Sequence, residues 1–273
     1  MSNLIEMFSY TFMFRALVVG CLISLCASLV GASLVLRGNS MIGDGLSHVA
    51  FASVSVATVL GFAPIEFSIP IVIIVSFLIL KFNGSGKLSG DSMIAIMSAS
   101  SLAIGTFLIS IVDGVNIDLN SYLFGSILSL DKMDVIFSII LSIVIILLYT
   151  ITYNKIFAIT FDEKFAKSIG INVDLYNMIF AMLCSVIVVL GMRLVGSLLI
   201  SSLIIFPTLS SIQLCKKFKS VIIVSVLISL IAFESGLILS YNISSPTGAT
   251  IVIINLGIFI LSYLFGKLKK NDY

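Results

Sequence analysis

Long apolar runs separated by short polar clusters constrain this chain more than any other feature of its sequence. A membrane-spanning helix needs about 20 predominantly apolar residues. Hydrophobic residues make up 59% of the chain and charged residues only 10%, whereas soluble domains carry about 25% charged residues. The sequence therefore predicts an all-α polytopic membrane protein, with residues 1–273 forming a single transmembrane domain. We predict nine spanning helices, over residues 13–36, 46–63, 67–82, 92–113, 134–153, 178–192, 196–214, 220–241 and 248–266.

The basic residues predict how the chain is oriented in the membrane. Lysine and arginine accumulate in the cytoplasmic loops of membrane proteins. If the N-terminus lies outside and the C-terminus in the cytoplasm, all of the 15 Lys and Arg residues except Arg15, Lys132 and Arg193 fall on the cytoplasmic side. The opposite orientation would violate this tendency, so we expect an external N-terminus and a cytoplasmic C-terminus.

Residues 117–130, IDLNSYLFGSILSL, are too few for a full span and begin and end outside in this topology. We interpret them as a short helix that dips into the protein, which a bilayer tolerates only where the segment is buried or lines a cavity. An ordinary helix in an external loop is the alternative, because pattern alone does not separate re-entrant from interfacial segments.

Three polar side chains near the starts of predicted spans need a physical reason. Asp44 and His48, the only histidine of the chain, are four residues apart and so share one face of a helix. Asp91 begins the fourth predicted span, and a charge inside a bilayer costs about 2.5–3.5 kcal/mol on insertion scales. Imidazole nitrogen and carboxylate oxygen together suit Zn²⁺ or Mn²⁺. We interpret Asp44, His48 and Asp91 as a candidate divalent-metal site at the cytoplasmic end of these spans.

Each of these residues also has a simpler interpretation. Aspartate is a preferred N-cap, so Asp44 and Asp91 could each cap the helix that follows. A lone histidine at the edge of an apolar run is more often a hydrogen-bonded packing residue than a ligand. Glu234, inside the eighth predicted span, is a further intramembrane carboxylate and therefore a candidate pathway residue. Arg193 could be its partner only if both lie toward the outer side.

The longest cytoplasmic connection is expected over residues 155–177. It contains a short amphipathic helix with an acidic start, a glycine end and an apolar stripe. An exposed apolar stripe suits docking into a groove of a partner protein. The alternative is a helix that lies flat on the lipid surface, which Lys164 and Lys167 would allow. The residues that define this helix are Asp162, Glu163, Phe165, Ala166, Ile169 and Gly170.

Several functional classes are disfavoured by the pattern. The stretch NGSGKLSG departs from a phosphate-binding loop, because Lys81 and Leu88 stand where glycine and serine or threonine are required. The four cysteines include no C-x-x-C pair. A net charge of +2 without basic clusters gives no reason to expect nucleic acid. One histidine and no H-E-x-x-H argue against an intramembrane metallohydrolase, and no permanently bound cofactor is expected.

Several long stretches resemble the integral-membrane permeases of bacterial ABC importers for zinc and manganese. They are LVLRGNSMIGDGLSHVAFASVSVATVLG, DLNSYLFGSIL, ITFDEKFAKSIGI, MRLVGSLLISSLIIFPTLSSIQL and SSPTGATIVI, and together they extend over nearly the whole chain. The resemblance implies the type II ABC importer-like fold in the bacterial cytoplasmic membrane. Asp44 and His48 match the family's D-x-x-x-H pair, and Asp91 matches an acidic position near the fourth span. The segment 162–170 would be the helix that couples the permease to the ATPase.

The resemblance also implies partners and a substrate. The partners are a second copy of the chain, two copies of a separate ATP-binding subunit and an external metal-binding protein. SYLFGSI is similar to zinc-type members, although some of these have a histidine where this chain has Ala99. We therefore expect transported zinc, with manganese as the alternative, and no enzymatic activity in the permease itself. A second hypothesis is an ion-coupled secondary transporter without an ATPase, in which Glu234 or Asp44 would carry protons.

Overall fold

The structure, a computed structural model, describes residues 10–82, 90–111, 125 and 132–271. These residues form ten α-helices. They are α1 (Thr11–Leu36), α2 (Ile42–Leu60), α3 (Pro64–Phe82), α4 (Gly90–Ile111), α5 (Lys132–Phe161), α6 (Glu163–Ser168), α7 (Val173–Val195), α8 (Ser197–Leu214), α9 (Phe218–Ile243) and α10 (Thr247–Asn271).

Within the described part of the chain, nine of these helices are long and apolar enough to cross a membrane, and α6 is the exception. Each predicted span coincides with one of the nine helices. The boundaries differ most where a helix continues beyond its apolar run. For example, α5 extends to Phe161, eight residues past the predicted end at residue 153. The orientation with an external N-terminus stays a prediction.

The first helix lies at the centre of the bundle. α1 packs against α5, α7, α8 and α9, and most of its second half is buried. Two glycines permit the closest approaches, because a Cβ at Gly20 would meet the ring of Phe233 and a Cβ at Gly31 would meet the backbone of Ile204. Small residues that let helix backbones approach are the usual basis of packing in membranes.

The second helix connects this centre to the periphery. α2 packs against α3, α4, α7 and α8. It ends where Gly61 adopts a left-handed conformation with φ 74°, which glycine tolerates without strain. Ile94 of α4 packs so closely on Gly45 that a Cβ there would lie 2.6 Å from its methyl group. These contacts hold the first turn of α2 between α8 and α4.

The short helix α6 lies between α5 and α7, within the connection predicted over residues 155–177. Asp162 caps it by accepting a 2.9 Å hydrogen bond from the Phe165 N–H, and Gly170 follows its end with φ 83°. The predicted start and end are therefore confirmed. The predicted exposed stripe of three apolar residues is wrong for one of the three. Phe165 and Ile169 are exposed, but Ala166 is fully buried against α5 and α7.

Candidate functional site

Asp44 and His48 form a pair on the first two turns of α2. His48 Nε2 lies 3.8 Å from Asp44 Oδ2. Two ligands of one ion that each lie about 2.1 Å from it are about 3.0–3.4 Å apart at octahedral or tetrahedral angles. The two atoms would need to approach by less than about 1 Å to hold one cation. The spacing is therefore compatible with two ligands of a single metal ion.

The predicted capping role of Asp44 is wrong. The N-cap of α2 is Met41, whose side chain makes no capping bond, and Asp44 is the third residue of the helix. Its backbone carbonyl accepts a 2.7 Å hydrogen bond from the Ser47 hydroxyl. Its carboxylate does not cap the helix. It contacts His48 on the same helix and a serine on a neighbouring helix.

That neighbouring helix is α8, which supplies Ser201. The Ser201 hydroxyl donates to Asp44 Oδ1 at 3.2 Å and lies 3.0 Å from the carbonyl oxygen of Ser197. Ser201 is buried at 8% exposure, whereas the carboxylate that accepts its bond is partly exposed. Sequence reasoning missed this residue. The only signal was the serine pair at positions 201 and 202 inside an otherwise apolar run.

The pair is open on one side. The side chain of Asp44 is 39% exposed and that of His48 is 19% exposed. Ala52 and Val56, the next positions on the same face of α2, are also partly exposed. The carboxylate and the imidazole therefore open onto one continuous face of α2 that is lined by small side chains.

The contact with Ser201 joins the N-terminal turns of α2 and α8. Asp44 is the third residue of α2, and Ser201 is the fifth residue of α8. The position of the pair at the cytoplasmic end of its span stays a prediction.

Asp91 lies apart from the pair within one chain. It is exposed in the first turn of α4, three residues before the Ile94 that packs on Gly45. Among the described residues, no group of three or more His, Cys, Asp or Glu side chains could hold a metal ion. A single chain therefore does not assemble the predicted three-residue cluster, and the metal-binding role of each member stays a prediction.

Glu234 is also separate from the pair. It is exposed on α9, and the Cys21 thiol lies 3.8 Å from its Oε1. Cys21 precedes Gly31 by ten residues, about 15 Å along α1, and Gly31 touches Ile204 on the helix that supplies Ser201. Glu234 thus lies well away from the pair, toward the end at which α1 begins. The side chain of Arg193, its predicted partner, lies outside the described residues.

The predicted re-entrant segment 117–130 lies outside the described residues except for Gly125. Gly125 has φ 75°, and a Cβ there would meet the backbone of Val195 and Gly196. This is the junction between α7 and α8, five residues before Ser201. The one described residue of the segment is therefore packed against the start of the helix that bears Ser201.

These features define the class of protein. The described residues include nine helices suited to crossing a bilayer, and one of them carries a partly exposed carboxylate and imidazole. This arrangement is that of a polytopic membrane permease. The family model described as the ABC 3 transport family matches residues 9–266, so the chain belongs to that family. It is the membrane-spanning permease subunit of an ABC transporter, located in a bacterial membrane, and is not itself catalytic.

Characterised relatives match over nearly their whole length. The chain is 29% identical over 261 residues to the manganese import system permease protein ScaB of Streptococcus gordonii, covering 96% of this chain and 94% of that protein. It is 26% identical to the manganese transport system membrane protein MntC of Listeria monocytogenes, covering 94% and 91%. A chain in the structure of PsaBC from Streptococcus pneumoniae with a Fab superposes with a TM-score of 0.85 at 27% identity, covering 98% and 99%. The fold is that of type II ABC importer permeases.

Proposed function

We propose that this permease carries a divalent metal ion, with manganese as the first candidate, through a pathway that the Asp44–His48 pair lines. The observation that supports this best is the pair itself, partly exposed on an apolar helix and held by Ser201. A carboxylate inside a membrane span is costly unless it has a partner or a task. Its hydrogen-bond and ion-pair partners among the described residues are the Ser201 hydroxyl and the His48 imidazole, and both side chains of the pair are partly exposed.

The choice of ion follows from ligand chemistry and from the relatives. Carboxylate and water ligands suit Mn²⁺, and imidazole suits Zn²⁺ as well. The expectation of zinc rests only on the resemblance of SYLFGSI to zinc-type members. Two relatives that match nearly the whole chain have names that refer to manganese transport. We therefore place manganese ahead of zinc, and both ions belong in the same assay.

A site with two protein ligands suits transport better than storage. Water would fill the remaining coordination positions, so the ion would be held weakly. Conduction requires binding that is favourable enough for entry and weak enough for release. A second copy of the chain across a two-fold axis could add ligands from its own α2 or from Asp91, which is exposed at the start of α4.

The partners are proposed from the family and from the surface of α6. Phe165 and Ile169 are exposed at 58% and 55% on a helix that Asp162 and Gly170 fix at either end. Such apolar anchors suit a groove in a separate ATP-binding subunit. Glu163 forms a 3.1 Å ion pair with Lys167 on the open side of the same helix. An external metal-binding protein would deliver the ion to the opposite face.

The test is ion uptake by vesicles that hold the permease with or without its ATP-binding partner. We expect uptake of Mn²⁺ to require both subunits and ATP, and uptake of Zn²⁺ to be slower. ATP-independent uptake by the permease alone would instead favour the secondary transporter. In that case Glu234→Gln should abolish uptake, whereas the ATP-driven permease should retain it.

A further inference from the structure

Hydrogen bonds around Arg37 join the loop before Asp44 to the helices on either side of α6. Arg37 follows the last residue of α1 as its C-terminal cap. Its Nε donates to Thr160 Oγ1 at 3.1 Å, and its Nη1 donates to Asn177 Oδ1 at 3.0 Å. Thr160 is the next-to-last residue of α5, and Asn177 lies in the second turn of α7. One guanidinium therefore bridges three helices.

The guanidinium is held on its flat face as well. Its central carbon lies 4.5 Å from the centre of the Phe180 ring, a cation–π contact. Burial lowers the pKa of Arg37, and the negative charge of Glu163, the first residue of α6, opposes that shift. Arginine presents its donors in a rigid, planar fork, so a group held at two edges and one face has little freedom to move on its own.

The two residues that accept hydrogen bonds from Arg37 adjoin a separate packed cluster, whereas Phe180 belongs to the main core. Ile159, Ala166 and Val173 form a small hydrophobic cluster that is distinct from the main core and joins α6 to the end of α5 and the start of α7. Thr160 follows Ile159 directly, and Asn177 follows Tyr176, which packs on the cluster. We call residues 158–177 the α6 unit. Thr160 and Asn177 are therefore the two points at which Arg37 is linked to the α6 unit.

On its other side, Arg37 is tied closely to the first turn of α2. Gly38, with φ 75°, donates to the Val35 carbonyl at 3.0 Å, and Asn39 donates to the Leu34 carbonyl at 2.9 Å. The Asn39 carbonyl in turn accepts from Ile42 at 3.1 Å, at the start of α2. Successive hydrogen bonds therefore fix the short connection from Arg37 to the helix that bears Asp44.

We propose that Arg37 is a positioning residue that couples movement of the α6 unit to the Asp44–His48 pair. The proposal rests on the proposed function, in which α6 receives the ATP-binding subunit and the pair lines the metal pathway. A residue that only stabilised the fold would affect stability and expression. A coupling residue affects how many ions cross for each ATP hydrolysed.

The experiment measures that ratio in vesicles that hold the permease, its ATP-binding subunit and saturating metal-binding protein, with Mn²⁺ as the ion. For Arg37→Gln we expect the ratio of Mn²⁺ transported to ATP hydrolysed to fall by about tenfold, the factor that the loss of a hydrogen bond to a charged group represents. ATP hydrolysis should stay near the wild-type rate. Arg37→Lys should give an intermediate ratio, because a single ammonium group cannot reproduce the fork.

The matched control is Tyr149→Phe. It removes the buried 2.9 Å hydrogen bond between Tyr149 and Ser33, which joins the same helices α1 and α5 but does not touch the α6 unit. We expect this variant to lower the thermal stability of the complex while its transport ratio stays at the wild-type value.

A wild-type ratio in Arg37→Gln, or an equal fall of transport and hydrolysis, would overturn the coupling role. If that variant does not assemble, Thr160→Val and Asn177→Leu each remove one bond and retain the arginine. A partial fall in the ratio in either variant supports the proposal, and wild-type ratios in both refute it. Absence of Mn²⁺ and Zn²⁺ uptake by the wild-type complex would instead refute the proposed function.

Discussion

Replacing Ser201 by alanine tests whether α8 positions the metal-binding carboxylate. The substitution removes one hydroxyl that donates to Asp44 Oδ1 at 3.2 Å and leaves a small apolar side chain in a buried position. Without this bond the carboxylate can rotate about its side-chain bonds, so Oδ2 is no longer held beside His48. We expect the affinity for the transported ion to fall and the fold to persist.

The magnitude follows from the geometry of the hydroxyl. Loss of a hydrogen bond to a charged group costs about 1.5–3 kcal/mol. The single hydroxyl hydrogen of Ser201 is shared with the Ser197 carbonyl at 3.0 Å, so only part of that energy is available to Asp44. About 1 kcal/mol is a reasonable net value, which corresponds to a fall of about fivefold in affinity. Mutation of a residue that orients a metal ligand typically lowers metal affinity by about 10–100-fold. A fivefold fall is therefore a conservative expectation.

The assay is the concentration dependence of Mn²⁺ uptake by vesicles that contain the complete transporter. We expect Ser201→Ala to raise the half-saturating Mn²⁺ concentration by about fivefold. Ser202→Ala is the matched control, because that neighbouring hydroxyl contacts Asn255 at 3.4 Å on α10. An unchanged value in Ser201→Ala, or an equal rise in both variants, would refute the positioning of Asp44 by Ser201.

Two further substitutions, each with a control variant, test the packing and the ends of the helices. Gly31→Leu should lower the thermal stability of the purified permease by about 1–3 kcal/mol, because the added side chain meets the backbone of Ile204. Gly257→Ala, which has open space around it, should leave stability unchanged or slightly raised in the same melting experiment. Asp162→Ala should weaken the start of α6 by about 0.5–2 kcal/mol, seen as faster amide hydrogen exchange over residues 163–168. Asp174→Ala, which removes an acidic side chain but not the N-cap of α7, should leave that exchange unchanged, and equal effects of the two substitutions would contradict the capping role.

The helices could be predicted from sequence because their signal is strong and local. Runs of about 20 apolar residues identify spans without knowledge of any contact. The start of α2 at Ile42 was less evident, because Gly43, Asp44 and Gly45 lower the hydropathy of its first turn although the Gly45 N–H bonds to the Met41 carbonyl as in any helix. The capping residues Asp162 and Gly170 were predictable because their roles depend only on local backbone geometry.

The surroundings of the pair could not be predicted in the same way. The bond between Ser201 and Asp44 joins positions 157 residues apart, and a serine inside an apolar run gives no sign of its partner. The burial of Ala166 was missed for a different reason, since a helix of six residues is too short for its pattern to fix which side faces the protein.

The most direct test of the central claim is pulsed electron paramagnetic resonance of Mn²⁺ bound to the assembled transporter without its metal-binding protein. His48 is the only histidine of the permease, so a nitrogen coupling from a directly bound imidazole that disappears in His48→Gln can be assigned to it. We predict that the wild-type complex shows this coupling and that Asp44→Asn weakens Mn²⁺ binding. Bound Mn²⁺ with the same spectrum in the wild type and in His48→Gln would contradict the assignment of the pair to the metal pathway.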